Sequence, residues 1–106
     1  MHNVMTNEEK STDEQVATLF EALGNVQRIK ILQLLLRLNR PVHLKGISRE
    51  LKIDYASLYR HVEKLKSVGV VGVHDVGRSR VPYVKERDKV EQILGEASEI
   101  CMSKTS

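Results

Sequence analysis

The segment from Ile53 to Val71 constrains the fold most narrowly, because it carries the start, the buried face and the end of one short helix. Asp54 is a favoured N-cap residue, since its carboxylate can accept hydrogen bonds from the unpaired N–H groups of a first turn. Gly69 is typical of the position just past a helix end. Apolar residues between them recur at spacings of four and three, which predicts one narrow stripe facing a core. The stripe consists of Leu58, Val62 and Leu65.

The opposite face of this helix carries hydroxyl-bearing, small and cationic side chains. Such a face suits the DNA major groove, where a helix meets base edges with its first turns and phosphates with its cations. Base readout is predicted for Tyr55, Ala56, Tyr59 and Arg60. Ser57 and Lys64 are predicted to contact phosphate. A solvated amphipathic helix would show the same pattern, and Tyr59 can alternatively pack against the β-hairpin (the wing) predicted to follow this helix.

The distribution of charge indicates a nucleic-acid partner more strongly than the net charge of +3 does. Residues 25–69 hold ten cations and three acids, a net charge of +7, and residues 70–87 add +2. Residues 1–24 and 88–106 carry −4 and −2. We therefore expect the basic centre to meet phosphate and the acidic ends to serve another purpose.

Two helices are predicted before this basic centre. Ser11 and Glu14 have capping-box spacing at the start of a helix over 12–23. Asn25 caps the next helix, over 26–38, which is apolar on several sides and is therefore predicted to form the centre of the fold. Residues 1–10 show no periodicity and are predicted to be a flexible tail.

A short helix over 44–51 is joined to the Asp54 helix by three residues, which fits a helix-turn-helix spanning 44–67. After Gly69 the pattern changes to two extended runs over 70–85, with a turn at Gly77-Arg78-Ser79. Pro82 cannot donate to a strand ladder, so it should lie at an edge or a bulge. A hairpin in this place is typical of a wing, and its cations, Arg78 and Arg80, are predicted to reach phosphates or a minor groove.

The last predicted helix covers 88–102, followed by a polar tail over 103–106. This helix and the first one are acidic, yet both carry apolar stripes that one small domain has difficulty covering. We therefore predict that they form a dimer interface. Its candidate residues are Val16, Leu19, Phe20, Val90, Ile93, Leu94, Ala97 and Cys101. Some of the stripe must be intrachain core, and Cys101 is either a packing residue or a thiol near the dimer axis, where it could form an interchain disulfide.

Two segments resemble the arsenical-repressor-like (ArsR-like) winged-helix regulators. Leu19–Leu32 (LFEALGNVQRIKIL) is similar to their "LADPTRLRIL" opening, and Tyr59–Val71 looks like their "S-R-H-L…L…G-L-V" recognition-helix segment. The resemblance implies a mainly α fold with a small β-hairpin, in the order α-α-α-α-β-β-α. It also implies a cytoplasmic homodimer whose first and last helices pair. The two recognition helices would then enter successive major grooves about 34 Å apart on a pseudo-palindromic operator.

Metal sensing does not carry over from that family. Its thiolate motif, "E-L-C-V-C-D-L", aligns with Pro41–Ile47, where His43 and Lys45 occupy the two cysteine positions. The last helix holds no histidine, and zinc needs about four converging ligands. We therefore expect no metal and no other cofactor.

These observations favour a sequence-specific regulator of transcription, acting as a repressor on double-stranded DNA. Catalysis has no support, because the sequence holds no Gly-rich phosphate loop and no nucleophile-and-base set. No apolar run is long enough for a membrane span, and the amino terminus lacks a signal-peptide pattern, so we expect an intracellular protein. Two alternatives are a winged helix used for protein contact and a sequence-neutral, chromatin-like DNA-coating protein.

Overall fold

A computed structural model describes residues 10–104 and contains five helices and one antiparallel hairpin in the predicted order α-α-α-α-β-β-α. The predicted tail over 1–10 lies outside the described residues except for Lys10, and of the tail over 103–106 only the first two residues are described. The elements are α1 Thr12–Leu23, α2 Val26–Arg37, α3 Leu44–Leu51, α4 Tyr55–Ser67, β1 Val71–Val76, β2 Ser79–Val84 and α5 Arg87–Ser103. The predicted fold class, a winged helix-turn-helix, is confirmed.

The caps of the first two helices are those that the sequence predicts. Ser11 and Glu14 form a complete capping box at the start of α1. The Asn25 side chain accepts a hydrogen bond from the Arg28 backbone N–H at 3.1 Å and starts α2. Helix α2 ends at Arg37, one residue before the predicted end, because Leu38 has an extended backbone.

The turn between α3 and α4 is fixed by backbone conformation and by one hydroxyl group. Lys52 adopts the left-handed conformation, with φ of 56°, and ends α3. The Ser48 hydroxyl donates to the Ile53 carbonyl at 2.5 Å, and the Ser48 carbonyl accepts from the Ile53 N–H at 3.1 Å. Ile53 is thereby turned into the core, where it is buried between the two helices as predicted.

Helix α4 ends in a Schellman motif centred on Gly69, whose φ is +85°. The Gly69 N–H donates to the Lys66 carbonyl, and the Val70 N–H donates to the Leu65 carbonyl. Leu65 and Val70 are both buried, so the apolar contact that accompanies this motif directs the chain into β1.

Strands β1 and β2 form a two-stranded hairpin in which Val71 pairs with Val84 and Val76 with Ser79. The loop is therefore Gly77-Arg78, one residue shorter than the predicted turn, and Gly77 has the positive φ that tight hairpin loops require. Pro82 lies in β2, which has no second neighbouring strand within the described residues, as its missing N–H predicts.

The core is aliphatic and lies between α2, α3, α4 and the base of the hairpin. Helix α2 contributes five buried residues, more than any other helix, which confirms its predicted central position. Helix α5 begins at Arg87, one residue before the predicted start, after Glu86 in a left-handed conformation. Asp88, the predicted first residue of this helix, therefore lies in its first turn.

Candidate nucleic-acid interface

The start of α4 is fixed by its N-cap, as the sequence predicts. An Asp54 carboxylate oxygen accepts a hydrogen bond from the Ser57 N–H at 3.2 Å. Hydrogen bonds from the Ser57 side chain and backbone, with a smaller contribution from the nearby Arg60 charge, hold the pKa of Asp54 below its ordinary value of 3.8. Asp54 is thus an anion at neutral pH and suits the positive end of the helix dipole.

One side of α4 is committed to the core and the other side is left open. Leu58, Val62 and Leu65 are buried against α1, α2, α3 and β1. On the outer side, Tyr55, Ala56 and Arg60 are exposed and Ser57 is half-buried. The Arg60 guanidinium donates a hydrogen bond to the Ser57 hydroxyl at 3.3 Å, so these two predicted contact residues lie side by side on the outer side of α4.

Tyr59 faces the hairpin. Its half-buried ring lies 5.2 Å from the guanidinium carbon of Arg80 in a cation–π contact. Nε of Arg80 is also 3.8 Å from a carboxylate oxygen of Asp75, its cross-strand partner. Interaction with the Tyr59 hydroxyl raises the pKa of Arg80 above its ordinary value. The structure therefore places Tyr59 between α4 and the hairpin, as the alternative reading of this residue anticipated.

The remaining cation of the hairpin tip, Arg78, is exposed and faces the helix-turn-helix across a concavity of about 230 Å³. Tyr55 of α4 and Lys45 of α3 line the same concavity. The hairpin tip and the first turns of α3 and α4 thus form one basic surface, which includes the predicted site residues Tyr55, Arg78 and Arg80.

Lys64 lies on another side of α4, toward α1. Its ammonium group is 3.1 Å from the Glu21 carboxylate, and both side chains are substantially exposed. Exposed ion pairs contribute little stability, so this pair can exchange for a phosphate contact at small cost.

Sequence reasoning missed the group that joins α4 to the first two helices. Arg28 of α2 donates from Nε to Nδ1 of His61 in α4 at 3.2 Å, and from a terminal nitrogen to the Ala22 carbonyl at 3.0 Å. His61 must be unprotonated at Nδ1 to accept this bond. Burial, together with the nearby Arg28 and Arg60 charges, lowers the pKa of His61 below 6.5.

Two further structural residues were also missed. Arg87 donates to the Leu35 and Leu36 carbonyls, which lie in the last turn of α2, where carbonyl groups have no partner within the helix. His43 is the N-cap of α3 and accepts from the Gly46 N–H at 3.1 Å. The role of His43 was missed because histidine is not a common N-cap residue. The role of Arg87 was missed because its contacts span about half the chain, so no neighbouring residue signals them.

Helices α1 and α5 expose apolar side chains at several of the predicted dimer positions. Val16 and Phe20 are exposed on α1, the latter at 55%, and Cys101 is an exposed free thiol on α5 beside Ile100 and Met102. Among residues 10–104, Cys101 is therefore not a buried packing residue. Ala97 is exposed as well, whereas Leu19, Ile93 and Leu94 are half-buried against the core.

Val90 differs from the other predicted dimer residues. It is 3% exposed and belongs to the hydrophobic core of its own chain. It lies in the first turn of α5, where Arg87 ties this helix to the end of α2. Val90 therefore has little surface left to offer a second chain.

Two classes of site are not found among residues 10–104. No group of three or more His, Cys, Asp or Glu side chains is arranged to hold a metal ion there. In the same part of the chain, no helix is both long enough and apolar enough to cross a bilayer.

No protein-family model matches the sequence, and a comparison with curated proteins finds no match. Solved structures do match. The homodimeric winged helix-turn-helix DNA-binding domain of a possible ArsR-family regulator from Mycobacterium bovis has a TM-score of 0.75 at 20% identity, over 94% of this chain and 90% of that chain.

Two further solved structures are similar to this chain over most of its length. NolR from Sinorhizobium fredii has a TM-score of 0.73 at 22% identity, over 93% of this chain and 96% of that chain. An ArsR-family transcriptional regulator has a TM-score of 0.64 at 26% identity, over 88% of this chain and 96% of that chain. The chain therefore shares its fold with these structures, among them the winged helix-turn-helix domain from M. bovis.

Proposed function

We propose that this chain is an ArsR-like regulator of transcription that binds double-stranded DNA in a sequence-specific manner as a homodimer. It places α4 in the major groove and the β1–β2 hairpin on the flanking backbone or in the minor groove. It acts in the cytoplasm as a repressor, by occupying a promoter. DNA binding requires neither a metal ion nor another cofactor.

The outer side of α4 is the observation that carries this proposal. Ala56 and Arg60 are exposed next to each other in the first two turns, with Tyr55 beside them. A small residue allows the backbone to approach base edges, and a guanidinium group is the most common donor to guanine. A helix used for protein contact would instead present an apolar or acidic outer side.

The hairpin supports the same proposal. Arg78 is exposed at its tip, and Arg80 is held against Tyr59, so the hairpin is joined to α4 by a contact between side chains. A hairpin held in this way can meet the backbone at a fixed distance from the major-groove helix. We assign base readout to Tyr55, Ala56 and Arg60, and phosphate contacts to Ser57, Lys64, Arg78 and Arg80. Tyr59 has a dual role, base contact at its exposed edge and support of the hairpin.

Dimerisation is part of the proposal because one module makes too few contacts for the affinity of a regulator. The exposed apolar residues of α1 and α5 offer the surface, and the homodimeric M. bovis domain of the same fold offers a precedent. Pairing through α1 and α5 would set two α4 helices about one DNA turn apart. The contact residues would be Val16, Leu19, Phe20, Ile93, Leu94, Ala97 and Cys101.

The test selects, from a random duplex pool at near-physiological salt, the sequences that the purified chain binds. The selected duplex is then titrated with the wild-type chain and with Arg60→Ala and Tyr59→Ala. Lys89→Ala is the matched charge control, because Lys89 is exposed on α5 and pairs only with Glu86 among the described residues. Tyr83→Ala is the matched control for Tyr59→Ala. Tyr83 stacks on His74, on the face of the hairpin opposite to the one from which Arg80 contacts Tyr59.

We expect an enriched pseudo-palindrome with half-sites about one helical turn apart. Loss of a bidentate base contact costs about 1–3 kcal/mol, so Arg60→Ala should relax specificity at one position of each half-site. Binding without enrichment would favour the sequence-neutral coating function. If the wild-type chain bound no duplex at all, α4 would have to face a protein partner and the proposal would be wrong.

A further inference from the structure

A concavity of about 480 Å³ lies between the end of α2, the segment that follows it, and α3. Each of these three segments contributes one arginine to its lining, namely Arg37, Arg40 and Arg49. Glu50 is the one acidic residue among the lining residues. None of the proposed contacts of α4 or the hairpin uses this surface.

The three arginines differ from the structural arginines of this protein. Arg28 and Arg87 donate to carbonyl groups, and Arg80 lies beside Asp75 and Tyr59. In contrast, Arg37, Arg40 and Arg49 are exposed and make no ion pair or side-chain hydrogen bond within residues 10–104. Three guanidinium groups around one concavity repel one another, and bound phosphate would relieve this repulsion.

This surface is continuous with the basic surface of the hairpin and α4. Arg49 also lines a depression that it shares with Lys45 and Tyr55. Lys45 and His43 line the concavity that reaches the hairpin tip. The lining residues are therefore shared from one depression to the next, and a cationic strip runs from the hairpin, over α3, to the end of α2.

We propose that the arginine concavity formed by Arg37, Arg40 and Arg49 is a second DNA surface, which binds backbone phosphates of the duplex that flanks the segment read by α4. This inference rests on the proposed function and adds a wider, sequence-independent footprint to it. A small anionic ligand fits less well, because the three side chains are exposed and no other side chain of residues 10–104 holds them in place. A strip of exposed cations is typical of a surface that follows a nucleic-acid backbone.

The test compares Arg37→Ala/Arg40→Ala/Arg49→Ala with the wild-type chain and with Lys85→Ala/Lys89→Ala/Lys104→Ala. The control removes the same charge from exposed residues that line none of these depressions. Each full-length chain is titrated by fluorescence anisotropy against duplexes of about 20 and about 50 base pairs that carry the selected site at their centre and span roughly two and five helical turns. The titrations are repeated over a range of salt concentrations, and thermal melting verifies that each variant is folded.

On the long duplex, we expect the arginine variant to bind at least about tenfold more weakly than the control variant, with a shallower salt dependence. Each lost phosphate contact lowers the slope of log K against log salt by about 0.9, so loss of all three lowers it by roughly 2.7 per protomer. On the short duplex, the two variants should bind alike, because the flanking phosphates are absent.

Four results would overturn the inference. If Arg60→Ala weakened binding but the arginine variant matched the control on both duplexes, the second surface would be wrong and the proposed function would stand. An equal loss on both duplexes would place the arginines on the central segment instead. Unchanged DNA binding, combined with thermal stabilisation of the wild-type chain but not the arginine variant by inorganic pyrophosphate, would indicate a small-anion site. A wild-type chain that bound neither duplex would reject the proposed function itself.

Discussion

Helices α4 and α5 are both amphipathic, but they use their apolar residues in different ways. Helix α4 buries its whole stripe within the chain, against four other elements. Helix α5 is longer, at 17 residues, yet Val90 is its only buried residue within the part of the chain that the structure describes. Farther along α5, Ile100 and Met102 are 72% and 71% exposed.

This difference indicates two roles, one for α4 within a single chain and one for α5 between two chains. The orientation of α4 relative to the hairpin is determined within one chain, by core packing and by the Arg28–His61 and Tyr59–Arg80 contacts. Among the described residues, the Ile100 side chain near the end of α5 is mostly exposed, so we expect a second copy to cover this end of the helix. The distance between two DNA-reading helices would then depend on α1 and α5 and not on the core.

The largest expected effect is on stability when the buried stripe of α4 is shortened. Leu58 is fully buried, and Leu58→Ala should lower the free energy of unfolding by about 2–5 kcal/mol, measured by urea denaturation. Ile100→Ala removes the same number of atoms from the exposed end of α5. Its effect should depend on protein concentration, whereas that of Leu58→Ala should not. Equal, concentration-independent losses would contradict the contrast between the two helices.

The next effect concerns the association of two chains. Phe20→Asp puts a charge on the exposed apolar side of α1, at both copies of a two-fold interface, and should raise the dimer dissociation constant on the order of 100-fold or more. Analytical ultracentrifugation measures it. Val76→Asp, at an exposed apolar position in the hairpin, is the control and should leave the dimer intact. A Phe20→Asp chain that dimerised normally would move the interface away from α1.

A smaller effect is expected from the contact that joins α2 to α4. Arg28→Ala leaves the Ala22 carbonyl and Nδ1 of His61 without their donor and should cost about 1–3 kcal/mol in chemical denaturation. Arg49→Ala, which removes an exposed arginine with no partner among residues 10–104, should change stability by less than about 0.5 kcal/mol. If both substitutions had equal effects, the Arg28 contact would contribute nothing to the placement of α4.

The smallest effect is the dependence of stability on pH. The pKa of His61 is lower in the folded chain than its ordinary value of 6.5, so the unfolded chain binds its proton more tightly. The stability contribution of neutral His61 is therefore fully present above about pH 6.5 and is lost as the pH falls through the folded pKa. Urea denaturation at several pH values should show this decline. His61→Asn, which can still accept a hydrogen bond but does not titrate, should have a flatter profile; an unchanged profile would assign the decline to other groups.

Most of the architecture follows from local sequence signals. The N-caps Ser11, Asn25 and Asp54, the glycine after α4 and the alternating pattern of the hairpin each depend on residues within a few positions of one another. The element boundaries therefore differ from the predicted ones by only one or two residues. The exposed outer side of α4 follows from the same periodicity, because burial of the Leu58 stripe forces Ala56 and Arg60 outward.

The sequence by itself thus determined the order of the elements, the buried stripe of α4 and the residue types on its outer side. Tertiary structure alone decided that Arg28 donates to His61, 33 positions away, and that Arg87 donates to carbonyl groups 51 and 52 positions away. It also decided that Val90 joins the core and that Tyr59 faces the hairpin. The physical reason is that periodicity and capping depend on neighbours along the chain, whereas these contacts exist only once helices distant in sequence have packed together.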